Sequence, residues 1–173
     1  FPLVSNEERM RFVLKLTLQN IEKTTGGPFG AAVFERESGQ LVSVGVNVVL
    51  KQGCSAAHAE MMAIMLAQQE LGTHDLGIAD LPEFQLVTSG KMCAMCLGSV
   101  VWSGVREVLA SAQPEDVENI VGFDEGPAPA DYDQQLEKRG ISIIPSFLRE
   151  EGCAVLQRYV ELEGVVYNPS RNS

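Results

Sequence analysis

Cys54-Ser55-Ala56-Ala57-His58-Ala59-Glu60 leads into seven consecutive apolar residues, 61–67, and its counterpart further along is Cys93-Ala94-Met95-Cys96. Between them the two stretches offer one imidazole, two thiols and one carboxyl. That is the set a zinc hydrolase needs: three protein ligands hold the metal and the fourth position is kept for water. The spacing carries a geometric condition. Residues two apart on a helix point about 200° away from each other, so His58 and Glu60 share a site only if His58 projects over the helix end and Glu60 lies in the first turn. Cys93 and Cys96 are three apart and share a face at a helix start, where the positive end of the dipole favours the thiolate that binds metal. Two plainer readings stand beside this one: a redox Cys-x-x-Cys, and a structural all-cysteine site recruiting Cys54 and Cys153. Glu60 favours the catalytic reading, because a structural site has no use for it.

Composition narrows the class. A chain of 173 residues, 45% of them apolar, is one domain, 1–173, able to bury a core without disulfides. No apolar run reaches transmembrane length, so no membrane role is expected. The sequence begins at Phe1 without a visible secretory signal, and cysteines beside a metal site suit a reducing interior, so a cytoplasmic location is expected. The net charge is −10, with 23 acidic residues against 13 basic ones. Nucleic-acid enzymes draw most of their affinity from phosphate neutralisation by a basic surface. The charge therefore argues against a nucleic-acid partner and for a small-molecule substrate.

Along the chain, Ser5 and Glu8 form a capping box for an amphipathic helix to about Asn20. Gly26-Gly27-Pro28-Phe29-Gly30 breaks it, either as a simple turn or as glycines that let backbone approach a flat ligand. Strands over 31–37 and 40–50 form a hairpin around Ser38-Gly39. Asn47 interrupts the valines of the second strand, and spacing alone slightly favours a solvent-facing side chain. The helix carrying 61–67 runs to Gly72 and reads as buried on nearly all sides, its methionines as core filler. His74 reads as a surface or capping residue. A third strand over 84–89 delivers Cys93, and a helix over 94–103 holds Trp102, assigned to the core. A fourth strand (107–111), helices over 114–120 and 132–139, a fifth strand (141–144) and a helix over 147–162 complete the pattern. Helices between strands three and four and between four and five imply crossovers, hence parallel neighbours. The expected fold is α/β, a mixed five-stranded sheet with helices on both faces and strands 4 and 5 parallel. The tail Gly164-Val165-Val166-Tyr167-Asn168 is apolar enough to dock on something.

Taken together, these residues resemble the cytidine deaminase superfamily, whose signature is His-x-Glu followed by Cys-x-x-Cys, with the Glu an acid/base and not a ligand. The narrower resemblance is to the bacterial guanine deaminases, including the branch that handles triazines such as ammeline. It is carried from Gly26 onward by the Gly-Gly-Pro-Phe-Gly run, Asn47, Ala57-His58-Ala59-Glu60, Cys93-Ala94-Met95-Cys96-Leu97-Gly98, Val101-Trp102-Ser103-Gly104-Val105-Arg106 and Gly122-Phe123-Asp124-Glu125-Gly126-Pro127. One departure stands out: the family usually has Pro, often preceded by Glu, before the first cysteine, and this chain has Lys91-Met92. Proline fixes φ and helps aim the loop.

The resemblance implies a three-layer fold, one Zn²⁺ per chain on His58, Cys93 and Cys96, a homodimer packed near the zinc helices, and hydrolytic deamination of a free nucleobase, guanine to xanthine plus ammonia. Glu60 would move the proton of the attacking water. Glu125, rather than Asp124, would protonate the leaving ammonia, and Asp124 would help bind substrate. Phe29 would stack on the base, Asn47 would hydrogen-bond its edge, and the tail 163–173 would close the pocket with Tyr167. The rivals are a triazine deaminase, a tRNA adenosine deaminase and a non-catalytic zinc-binding homologue. Ammonia release from each substrate separates them.

Overall fold

A computed structural model describes residues 2–170, so Phe1 and the last three residues of the expected 163–173 tail segment lie outside the described part. Helix α1, Asn6–Glu22, starts on the predicted capping box: the Ser5 side chain accepts from Glu8 N, and Glu8 returns to the Ser5 backbone N–H. The chain then forms β1 (Gly30–Glu35), β2 (Leu41–Val46), α2 (Val49–Gln52), α3 (Ala59–Leu71), β3 (Phe84–Gly90), α4 (Ala94–Ser103), β4 (Glu107–Ala112), α5 (Pro114–Ile120), α6 (Tyr132–Glu137), β5 (Ser142–Ile144) and α7 (Arg149–Glu161).

The five strands lie in the order β2-β1-β3-β4-β5. β1 is antiparallel to β2 and to β3, whereas β3, β4 and β5 run parallel, as the crossovers require. Alternation along β1 divides the core into two. Ala31 and Val33 pack with Ala63, Ile64, Leu97 and Val100 of α3 and α4, and Ala32 and Phe34 pack with Met10, Val13 and Leu156 of α1 and α7. Every residue of β3 and β4 is buried, as central parallel strands covered on both faces must be. Helices therefore cover both faces of a mixed sheet in three layers.

Several boundaries differ from the sequence reading. The second strand ends at Val46, not at residue 50, because Asn47 turns the chain: its backbone N–H donates to Phe29 O and its Oδ1 accepts from Val49 N. The last helix begins at Arg149, two residues late, because Leu148 takes a left-handed conformation with φ 50°. The helix over 132–139 stops at Glu137. Two burial expectations fail outright. α3 is buried on one side only, leaving Met65 and Leu66 47% and 41% exposed, and Trp102 is 80% exposed, not core. Trp102 lies on the outer face of α4, whose inner positions Leu97 and Val100 meet the sheet.

The fold brings three strand ends to one place. Gly30 N donates to Ser89 Oγ at 3.0 Å, so the start of β1 abuts the end of β3. Asn47, just past β2, is tied to Phe29. The N-termini of α3 and α4 point at the same region.

Candidate active site

His58 and Cys93 are each the N-cap of their helix, both in extended backbone conformations with no side-chain cap. This satisfies the condition set by the two-residue spacing: His58 projects past the end of α3 while Glu60 sits in its first turn. His58 Nδ1 lies 3.6 Å from Cys93 Sγ and 3.6 Å from Cys96 Sγ. The three ligand atoms all fall within 4.8 Å of one another, the one such cluster of three or more among the described residues. An imidazole and two thiols at this separation fit zinc. Cys54 is exposed and Cys153 lies on α7 beside Asp116, so neither joins the cluster and the all-cysteine site is ruled out by position.

The electrostatics suit a cation. The neighbouring Cys96 thiol, and then His58, hold the Cys93 thiol down to about 4, against the opposing effect of burial. Cys96 is pushed up by the Cys93 sulfur and by burial, since two adjacent thiolates repel. A divalent cation between them holds both deprotonated. Burial, the largest single influence, would lower His58, but the bond to the Cys93 sulfur together with the Cys93 and Glu60 charges raises it.

Glu60 is 6% exposed and raised, first by burial and then by the Cys93 charge. Its Oε2 accepts from Cys96 Sγ at 3.5 Å, and Thr88 Oγ1 lies 3.2 Å from its Oε1. Thr88 also donates to Gly90 O at 2.8 Å. The carboxyl is thus held from both sides.

Beside the cluster opens a cavity of about 320 Å³ whose walls include Phe29, Asn47, Phe123, Glu125 and Tyr167. Asn47 is only 1% exposed, which corrects the solvent-facing reading. Its backbone carbonyl accepts from the buried Asn20 amide at 3.0 Å, and the same amide donates to Gly27 O at 2.9 Å. A Cβ on Gly26 would fall 1.7 Å from Asn47 O, and one on Gly27 would fall 2.1 Å from Tyr167 Oη. The glycines are there for close approach.

Glu125 is pushed up to about 8, first by burial and then by the Cys93 and Glu60 charges. Its carbonyl accepts from Ala94 N at 3.0 Å, fastening its loop to the start of α4. Asp124 shapes that loop: its Oδ1 accepts from Gly126 N at 2.8 Å. The tail crosses the same loop. Tyr167 packs on Phe123 with centroids 4.7 Å apart, Asp124 N donates to Asn168 Oδ1 at 2.9 Å, and Asn168 Nδ2 donates to Gly122 O at 2.8 Å. The sequence reading missed Thr88, Asn20 and Asn168. Only Asn168, next to Tyr167 in an apolar tail, carried a local signal.

Residues 4–112 match the family described as cytidine and deoxycytidylate deaminase zinc-binding region. The chain belongs to this family. It is a zinc-dependent hydrolytic deaminase. Among solved structures, NE0047 in complex with 2,6-diaminopurine is 50% identical with a TM-score of 0.92, covering 97% of this chain and 88% of that one. A guanine deaminase from Nitrosomonas europaea is likewise 50% identical, with a TM-score of 0.89 over 92% of this chain and 86% of that one. The guanine deaminase of Bacillus subtilis is 29% identical over 147 residues, which are 85% of this deaminase and 89% of that relative.

Proposed function

We propose that this deaminase converts free guanine and water to xanthine and ammonia. The observation that carries the reading is the buried Asn47 amide in a cavity that has Phe29 in its wall and opens onto His58, Cys93 and Cys96. A flat, neutral base with donors and acceptors along its edge calls for an aromatic face and an amide, and no cation. The half-identical relatives named above, a guanine deaminase and a protein binding 2,6-diaminopurine, support it.

His58, Cys93 and Cys96 would hold the zinc, which would supply a water whose pKa is lowered to about 7. Glu60 takes the proton of the attacking water and returns it to the ring nitrogen beside the amino-bearing carbon. Glu125, neutral at pH 7, delivers a proton to the departing amine and recovers one from the new hydroxyl as the product carbonyl forms. Phe29 stacks on the base, Asn47 binds its edge, and Tyr167, with Asp124 shaping the loop opposite, closes the pocket from the tail. Leaving the Asn47 amide unpaired against a wrong base costs about 1–3 kcal/mol, enough to discriminate.

A homodimer is part of the same reading, supported by the exposed apolar side chains of α3 and α4. So is a cytoplasmic location, supported by four free cysteines. No helix among the described residues is long and apolar enough to cross a membrane.

The test is ammonia release from guanine, a triazine such as ammeline, and adenosine in a tRNA anticodon stem, with xanthine identified as the product of the first. Deamination of the triazine with guanine untouched leaves the zinc chemistry standing and overturns the purine reading.

A further inference from the structure

Cys93 is a ligand that its own helix does little to hold in place. It sits at the N-cap of α4 with no side-chain cap, on a turn, Gly90-Lys91-Met92, that has no proline to fix it. Something else must keep its sulfur aimed at His58.

The structure supplies a fastening from α6. The Tyr132 hydroxyl donates to Met92 O at 3.0 Å, immediately before the ligand residue. Met92 is fully buried and Tyr132 is 7% exposed, so this carbonyl has little access to water as an alternative partner. The Lys91 ammonium lies 4.5 Å from the centre of the Tyr132 ring and 2.7 Å from Asp133 Oδ1. That Asp133 oxygen is buried and has no hydrogen bond beyond this ion pair among the described residues. Lys91 N also donates to Ala112 O at 2.8 Å, which ties the turn to the end of β4. Residues 91 and 92 are therefore gripped by 132 and 133, one pair against the other.

We propose that Tyr132, Lys91 and Asp133 form a brace that positions Cys93 as a metal ligand, in place of a proline in the turn. Tyr132 and Asp133 are positioning residues. They act through the turn, at Met92 O and the Lys91 ammonium. Groups that orient metal ligands typically cost about 10–100-fold in metal affinity or activity when removed, and a buried carbonyl deprived of its donor is the physical source of the loss here. The inference rests on the zinc reading of His58, Cys93 and Cys96.

Tyr132→Phe deletes the hydroxyl and keeps the ring under Lys91. The experiment follows zinc release from the loaded protein into a chromophoric chelator, and the thiolate-to-metal absorption of the cobalt-substituted protein. Thr17→Val is the comparator: it removes a buried hydroxyl that donates to Val13 O at 2.8 Å on the other face of the sheet, and so reports what lost stability alone does. Tyr132→Phe should release zinc about tenfold faster than Thr17→Val and shift the cobalt spectrum. Release at the comparator's rate, or an unchanged cobalt spectrum, overturns the brace. If Tyr132→Phe does not fold, Lys91→Met takes its place and should speed release about threefold and shift the cobalt spectrum. Release from Lys91→Met at the comparator's rate, or an unchanged spectrum, likewise overturns the brace. A parent protein that takes up no zinc overturns the metal reading and the brace together, whereas zinc held equally well without the brace overturns the brace alone.

Discussion

Two carboxyls in this pocket have different roles in the proposed mechanism, because their surroundings differ. Glu60 is gripped between Thr88 and Cys96, within reach of the metal cluster. Glu60→Gln keeps the shape and the hydrogen bonds but carries no proton, so zinc content and fold should persist while kcat falls by about 10²–10⁴-fold. Turnover near that of the parent would assign the base elsewhere. Glu125, pushed up to about 8, is protonated at pH 7 and loses that proton as pH rises through about 8. Parent kcat should therefore decline above about pH 8. Glu125→Gln should lower kcat with little change in KM and remove that alkaline limb, and an unchanged limb would exclude Glu125 as its source. Gly27 tests the pocket roof. Its added Cβ would meet the end of the Tyr167 side chain and, at 3.2 Å, Asn47 Oδ1, whereas one on Gly26 would meet backbone. Gly27→Ala should thus leave the unfolding midpoint nearly unchanged and raise KM by displacing Tyr167 and crowding Asn47. An unchanged KM would show that the tail does not cover the bound base.

At the scale of elements, α5 and α7 are joined by Arg149, which donates to both Asp116 oxygens at 2.8 Å. Asp116 also accepts from Gln113 N, completing the cap of α5. The bond to Arg149 holds the Asp116 carboxyl below its ordinary value of 3.8. A carboxyl whose pKa is lowered by folding adds stability that is present above its unfolded value and is lost as pH falls through the folded one. Arg149 is half exposed, so screening limits the pair to about 1 kcal/mol. Arg149→Ala should lower stability by about that much in urea at pH 7, and the difference should begin to shrink as pH falls below about 4 and vanish once Asp116 is protonated in the folded protein. A difference that persists in acid would mean Arg149 acts through packing. The capping box of α1, the proline starting α5 and the glycine ending α3 were all legible, because caps are local chemistry. The end of β2 was not. Asn47 is held there by Asn20 and Phe29, residues distant in sequence.

For the whole molecule, the outer faces of α3 and α4 leave Met65, Leu66, Met95 and Trp102 exposed, Trp102 by 80%. A tryptophan on the surface is a large apolar area to leave in water. In the proposed dimer these residues are covered. Sedimentation of the parent at micromolar concentration should give a dimer, and Trp102→Glu should shift it toward monomer without loss of fold. A monomeric parent would overturn the assembly.

The metal cluster, the capped helices, the mixed sheet and its parallel pairs follow from the sequence alone, because each depends on a ligand type, a short spacing or a crossover length. Tertiary structure alone decided which apolar residues are core. Periodicity marks Trp102 and Met65 as apolar but does not say whether a face meets the sheet or water. It alone also joined Asn47 to Phe29, Thr88 to Glu60 and Tyr132 to the turn before Cys93, since those contacts arise only when strand ends and helix termini converge in space.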